Sequence, residues 1–392
     1  MKERRYDIDW LRVLAILAIW LFHCARFFDT EGWHVKNAEQ SFIVDVLRAG
    51  LIWMWVMELF FLLSGVGSWY ALKSRTGGQY LLERVKRLLI PLYTVGLFIL
   101  IPPQFYFELV TNEGYIGTFR EMIRRYFGKF GWFRFSHTPF TLVPFPWAGH
   151  LWFLQYLFLI SLVTLPLLLY LRSERGQRRI EMLGGFCDRR GGIFLFVIPL
   201  AVVLISLRWL FRGERTWADF FYYAVFFVIG YIMPADKRFT ESMKRHGWVC
   251  LALWIVGFSG IGLFVLVLGY NPYLDSKSFS LIFVLAQIVI SITSWSAVVF
   301  MLSLGAKYLN FKNKILAYAN EAVLPFYIFH QTIILCVGWF VVRWNIGILP
   351  KFLIISVFSF PLIMVLYELF VRHFNIVRFF FGMRPKKRDS ET

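Results

Sequence analysis

Apolar runs of about 18 to 25 residues, the helix length that crosses a hydrocarbon core of about 30 Å, recur along the whole chain. They are continuous rather than alternating in polarity, so they predict helices and not the strands of a barrel. The sequence predicts spans near residues 10–28, 47–71, 88–108, 150–170, 193–211, 217–234, 248–268, 279–302, 322–342 and 351–371. With 58% hydrophobic and 20% aromatic residues, the chain holds more apolar surface than one soluble core can bury. The expected fold is an all-α, polytopic integral membrane protein of about ten transmembrane helices.

The formal charge of +18 follows from topology. With the amino terminus inside, the inside segments carry about 27 basic residues and the outside ones about 14, so both termini are expected to be cytoplasmic. Those charges face the bilayer's anionic headgroups, and no nucleic acid partner is expected. The first apolar run lacks a small-residue cleavage site after it and reads as a retained anchor. Cys24, Cys187, Cys250 and Cys336 have no metal-ligand spacing, so they are expected to be free, and no metal is expected. One membrane domain is assigned to residues 1–378 and a basic cytoplasmic tail to 379–392. The segment 109–149, with Arg120, Arg124, Arg125, Lys129 and Arg134 among aromatic residues, reads as an amphipathic stretch on the headgroups. The segment 172–192, with Gly184, Gly185, Gly191 and Gly192, reads as a flexible inside connection.

Ionisable side chains inside spans are costly, and each is a candidate for function. Arg12 and His23 are eleven residues apart in the first span, which puts them on one helix face about 16 Å apart along the axis. Arg12 alone could be a snorkelling arginine at a helix start. A neutral imidazole near mid-membrane is suited to taking a proton from a hydroxyl, although a hydrogen-bonded structural histidine would occupy the same place. Glu58 enters the second span near the expected level of His23, where it could orient the imidazole, face a water cavity or pair with an arginine. The Ser64–Gly65 pair after it reads as close helix packing. Arg84 and Arg87 share a face at the start of the third span and could clamp phosphate, a pattern that positive inside loops also produce by chance. His150 at the outer end of the fourth span and His330 within the ninth, which Glu321 opens, are structural or catalytic candidates.

Together these motifs resemble the acyltransferase 3 family of bacterial membrane O-acyltransferases. The likeness rests on Arg12 and His23, on Phe60-Phe61-Leu62-Leu63-Ser64-Gly65, on Arg84 and Arg87 before Pro91, on His150-Leu151-Trp152-Phe153-Leu154, and on Tyr327 with His330. Gly32 to Glu39 and Tyr367-Glu368 are most similar to its subgroup of glucan succinyltransferases. The resemblance implies an acyl-CoA donor, succinyl-CoA or acetyl-CoA, held on the cytoplasmic side, and a glycan or glucan hydroxyl approached from outside. It further implies a multi-pass protein of the bacterial inner membrane. On this reading Arg12, Arg84 and Arg87 bind the donor, and a pantetheine arm of about 15 to 20 Å would bring the thioester to His23. His23 would be the general base or carry the acyl group, Glu58 would orient it, and His150 would bind the acceptor or the developing oxyanion. The alternative is a multi-pass transporter or glycan flippase using the same midplane groups, against which no inverted repeat and no pair of broken helices is evident.

Overall fold

The computed structural model describes residues 5–128, 148–269, 271 and 279–386. In chain order the helices are α1 (Tyr6–Ala25), α2 (Phe42–Ile52), α3 (Val56–Lys73), α4 (Gly77–Arg84), α5 (Ile101–Glu113), α6 (Phe119–Gly128), α7 (Trp152–Arg172) and α8 (Glu174–Asp188). They continue with α9 (Val197–Leu207), α10 (Trp217–Ile232), α11 (Lys237–Leu268), α12 (Leu281–Tyr308), α13 (Lys314–Val341), α14 (Ile348–Leu366) and α15 (Asn375–Phe380). Among the described residues nine helical stretches are long and apolar enough to cross a membrane, and Gly192–Leu207 is a shorter apolar tenth. That short stretch is the span expected at 193–211, and the helical membrane fold is as expected.

α1 is the central helix and packs against α3, α12, α13 and α14. Both described chain ends lie on one face, termed here the terminal face. There the Tyr6 amide donates to Asn310 Oδ1 at 3.2 Å, and Arg384 pairs with Glu83 at 3.1 Å. The opposite face is termed distal. α3 and α10 meet backbone to backbone: a Cβ at Gly65 would overlap the Phe227 carbonyl, and one at Gly230 would overlap that of Leu62. Ser64 turns back to the Phe60 carbonyl at 2.7 Å, so the Ser64–Gly65 pair is a packing element.

Four local features differ from the sequence expectations. The second span is broken between α2 and α3, where Met54 takes φ +67°. Buried Met54 and Trp55 hold this left-handed turn, with the Trp55 indole donating to the Leu51 carbonyl at 2.9 Å. In the third span the turns widen over Val85–Leu89 and Leu92–Leu100, because Pro91 has no N–H to offer the Arg87 carbonyl four residues back. Residues 174–188 form helix α8 rather than a flexible connection. Ser173 caps it, and Gly184 gives room for Asp236 and Arg238, whose guanidinium takes the Glu181 carbonyl at 2.8 Å. The boundary expected at residue 378 falls inside α15, beyond which Arg384 reaches Glu83 at 3.1 Å and the Lys386 amide donates back to Asn375 Oδ1 at 2.8 Å.

α6 carries the expected amphipathic pattern. Met122 and Tyr126 face inward, the Tyr126 hydroxyl donates to the Leu97 carbonyl at 2.8 Å, and Arg120, Arg124 and Arg125 are exposed. Lys129 and Arg134 lie outside the described residues.

Candidate active site

Three imidazoles meet beneath the distal loops. The His23 ring centroid is 4.9 Å from that of His330, and His330 is 5.1 Å from His150, both pairs edge to face. His23 stands in the last turn of α1, so it is nearer the distal face than the mid-membrane depth expected for it. His150 comes from the turn that opens α7, and His330 from the middle of α13.

The hydrogen bonds assign distinct roles to these rings. His23 Nδ1 lies 2.9 Å from the Ile19 carbonyl, which can only accept, so the proton sits on Nδ1 and Nε2 keeps its lone pair. His330 repeats the arrangement with Nδ1 at 2.6 Å from the Tyr327 carbonyl. Its Nε2 is buried without a hydrogen-bond partner among the described residues. His150 is saturated by comparison: Nε2 donates to the Ile328 carbonyl at 3.1 Å, and Nδ1 accepts from Gln104 at 3.0 Å. Tyr327 closes the group by donating its hydroxyl to the His150 carbonyl at 2.6 Å. The cluster therefore offers two imidazole lone pairs, on His23 and His330. No group of three His, Cys, Asp or Glu side chains among the described residues is arranged to hold a metal.

A chain of amides runs from this cluster toward the distal surface. Gln104 also donates to Thr332 Oγ1 at 2.7 Å, its carbonyl oxygen takes Gln331 at 3.1 Å, and Gln331 meets His34 Nε2 at 3.1 Å. His34 in turn pairs with Glu108 at 3.0 Å. Glu58 is not part of this network. It is buried in the first turn of α3 and makes no hydrogen bond to His23, His150 or His330 among the described residues. Asp219 belongs to a buried pair with Arg208 that joins α9 to α10.

The expected arginines gather at the other end of α1. Arg12 bonds Asn320 Oδ1 at 3.1 Å, and Arg84 donates to Ser68 Oγ at 2.6 Å while its guanidinium lies 5.0 Å over the Tyr80 ring. Arg87 and Arg384 meet at one carboxylate, Glu83, while Arg12 also pairs with Asp9 at 3.4 Å. Three guanidiniums surround Glu83: Arg87 at 3.9 Å, Arg384 at 3.1 Å and Arg75 at 2.9 Å. The Arg87 carbonyl faces Gly382, where φ is +67° and a Cβ would come within 2.6 Å of it. Phe381 packs on Phe329, next to His330, with ring centroids 4.9 Å apart, and Arg378 pairs with Glu321 at 2.7 Å. Like charges held this close around one carboxylate favour a polyanionic ligand such as a diphosphate.

Sequence reading had identified His23, His150, His330, Arg12, Arg84 and Arg87, but not Gln104, Arg384 or Arg75. A glutamine in an apolar run is itself a signal, because its amide must find partners where no water competes. Arg384 gives no such signal, being one cation in a basic tail some three hundred residues from its partner Glu83.

Comparison with known proteins gives the family. Residues 5–368 match the model of the acyltransferase domain, type 3. Among curated proteins the chain is similar to Glucans biosynthesis protein C of Escherichia coli O6:K15:H31 (strain 536 / UPEC), with 24% identity over 411 residues, covering 99% of this chain and 97% of that protein. The Glucans biosynthesis protein C of Escherichia coli (strain K12) is 23% identical with the same coverage. No solved structure matches the chain.

Proposed function

Because the chain belongs to the acyltransferase 3 family of membrane O-acyltransferases, we propose that it moves a succinyl or acetyl group from acyl-CoA on the cytoplasmic side to a hydroxyl of an extracytoplasmic glucan. The terminal face is then cytoplasmic, in line with its excess of basic residues, and the membrane is the bacterial inner membrane. The observation that carries the proposal is the division of α1: guanidiniums surround one end, and an imidazole with a free Nε2 stands about 16 Å along the axis at the other. Arg12, Arg84, Arg87 and Arg384 hold the donor's phosphates, which take the place of Glu83 beside Arg87 and Arg384. Ser68 and Tyr80 keep Arg84 in position. The pantetheine arm rises beside α1 and leaves the thioester at the histidines.

There His23 Nε2 takes the proton of the acceptor hydroxyl as its oxygen attacks the thioester carbonyl. The new C–O bond forms, the C–S bond breaks, and the departing thiolate recovers the proton from the imidazolium. His330 Nε2 accepts a hydrogen bond from a second hydroxyl of the acceptor, and His150 fixes His330 by ring contact. Orientation of His23 comes from the Ile19 carbonyl, which leaves Glu58 outside the reaction.

Acyl transfer to glucan by the protein purified in detergent, followed by mass spectrometry of the product, tests this reading. Transfer that is lost in His23→Ala supports it, whereas unchanged turnover in that variant overturns the catalytic assignment. Movement of unmodified glucan across a vesicle membrane without any acylated product would identify a transporter instead.

A further inference from the structure

The distal face holds a cavity of about 590 Å³, within the range of small-ligand sites. It is walled by the loop 35–39, the end of α5 at Val110 and Thr111, and the turn between α13 and α14. Lys351, in the first turn of α14, lines it although the residue is 5% exposed. Its ammonium donates to Asn37 Oδ1 at 2.7 Å and to the Val342 carbonyl at 2.9 Å. Both partners are neutral, one of the three ammonium N–H groups remains, and no carboxylate among the described residues is within ion-pair distance. A lysine this deeply buried is ordinarily paired with an anion.

The rest of the charged lining is Lys36, which pairs with Asp29 at 2.7 Å, the carboxylate Glu39, and Arg343. Arg343 lines the same cavity and lies 3.6 Å over the Trp339 ring, again with no carboxylate partner among the described residues. Trp344 lines the wall with half of its surface open, and Asn345 stands next to it. The loop 35–39 is rigidly built: the Asn37 amide donates to the Phe27 carbonyl at 2.9 Å and its side chain to the Glu39 carbonyl at 2.7 Å. An open indole face suits the flat C–H face of a sugar ring, the Asn345 amide suits its hydroxyls, and Lys351 and Arg343, which outnumber the lining carboxylate Glu39, suit an acid. Trp339 stands nine residues after His330 on α13, a rise of about 13 Å, so an extended chain could occupy both places. Val35 packs in the same cluster as Phe27, and Phe27 meets Trp33, whose ring is 6.2 Å from that of His23.

We propose that this cavity is a docking subsite for an anionic saccharide, which holds an acidic glucan while a neighbouring hydroxyl reaches His23. The assignment rests on the acyl-transfer reading above for its choice of glucan. In that setting the acid is a succinyl half-ester already on the chain, and the subsite favours further substitution of a glucan that has begun to be modified.

The test is titration calorimetry of the full chain in detergent, without donor, using a linear β-linked glucose hexasaccharide and its singly succinylated form. The succinylated form is expected to bind at least about tenfold tighter, with the difference shrinking as salt screens it. Arg343→Gln and Lys351→Met should each remove most of that preference, and Trp344→Ala should weaken both ligands alike. Lys351 also braces the α13–α14 turn, so if its variant does not fold, the exposed Arg343 and Trp344 variants carry the test. Equal binding of the two saccharides, or a preference that survives Arg343→Gln, overturns the proposal. Since binding is read without donor, a protein that binds the acidic saccharide yet transfers no acyl group would overturn the acyl-transfer reading alone.

Discussion

The two ends of α1 are built on opposite principles. At the distal end the imidazoles are held by backbone carbonyls and amides, with no carboxylate bonded to any of the three rings. At the terminal end every expected arginine is near a carboxylate or hydroxyl, and most are partly exposed. The difference follows from what each end must do. A proton acceptor buried in a membrane works when its partners fix the tautomer without adding charge, since charge there is costly. An anion site needs charge, and wet guanidiniums can hold it and release it.

Breaking the distal end should have the largest effect. His23→Ala removes the group with the free Nε2 and is expected to lower acyl transfer by about 10²- to 10⁴-fold at saturating donor, with donor KM nearly unchanged. A loss shared between kcat and KM would blur the division of labour along α1. Breaking the terminal end should do the converse. Arg84→Ala removes a charge-assisted contact of about 1.5 to 3 kcal/mol, so donor KM should rise roughly ten- to a hundredfold while kcat holds. Initial rates across donor concentration separate the two outcomes.

The packing between the ends gives a third comparison. Gly65→Leu forces a side chain into the Phe227 carbonyl, where neither helix can yield without separating α3 from α10. A cost of about 1 to 3 kcal/mol in thermal stability is expected, and the protein that remains folded should keep its donor KM. A stable variant would show that the backbone contact is not what joins these helices.

How much of this was legible in the sequence differs between the two ends as well. The spans, and the pairing of Arg12 with His23 on one helix, followed from helical period and apolar length. Ring contacts among His23, His330 and His150 did not, since they depend on how three distant helices cross. The break at Met54 was hidden because a left-handed turn made by methionine, inside an unbroken apolar run, carries no Gly or Pro signal. α8 was mistaken for a loop because its glycines lower helix propensity, and the packing of Gly184 on Asp236 overrides that. For Glu58 the sequence supplied only a depth near that of His23, and depth leaves open which way a side chain faces around the helix.

The smallest effect concerns the loop that connects the distal site to solvent. Glu31 sits there between Arg26, at 2.7 Å, and Arg48, at 2.7 Å, with Asp29, Lys36 and Asp45 in the same network. Burial pushes its carboxyl up, but the hydrogen bonds and charges of Arg48 and Arg26 outweigh burial and hold it below the ordinary carboxylate range. A folded-state value below the unfolded one means that the contribution of Glu31 is present above the unfolded value, about pH 4.3, and is lost as pH falls through the folded value. Amide exchange over residues 29–45, corrected for its intrinsic pH dependence, should therefore stay slow at neutral pH and quicken only below about pH 4. In Arg48→Gln one opposing charge is gone, burial counts for more, and the same quickening should begin at higher pH. An unshifted onset in that variant would mean that the loop is held by Asp29 and its cations rather than by Glu31. The distal end would then be ordered by one buried carboxylate alone.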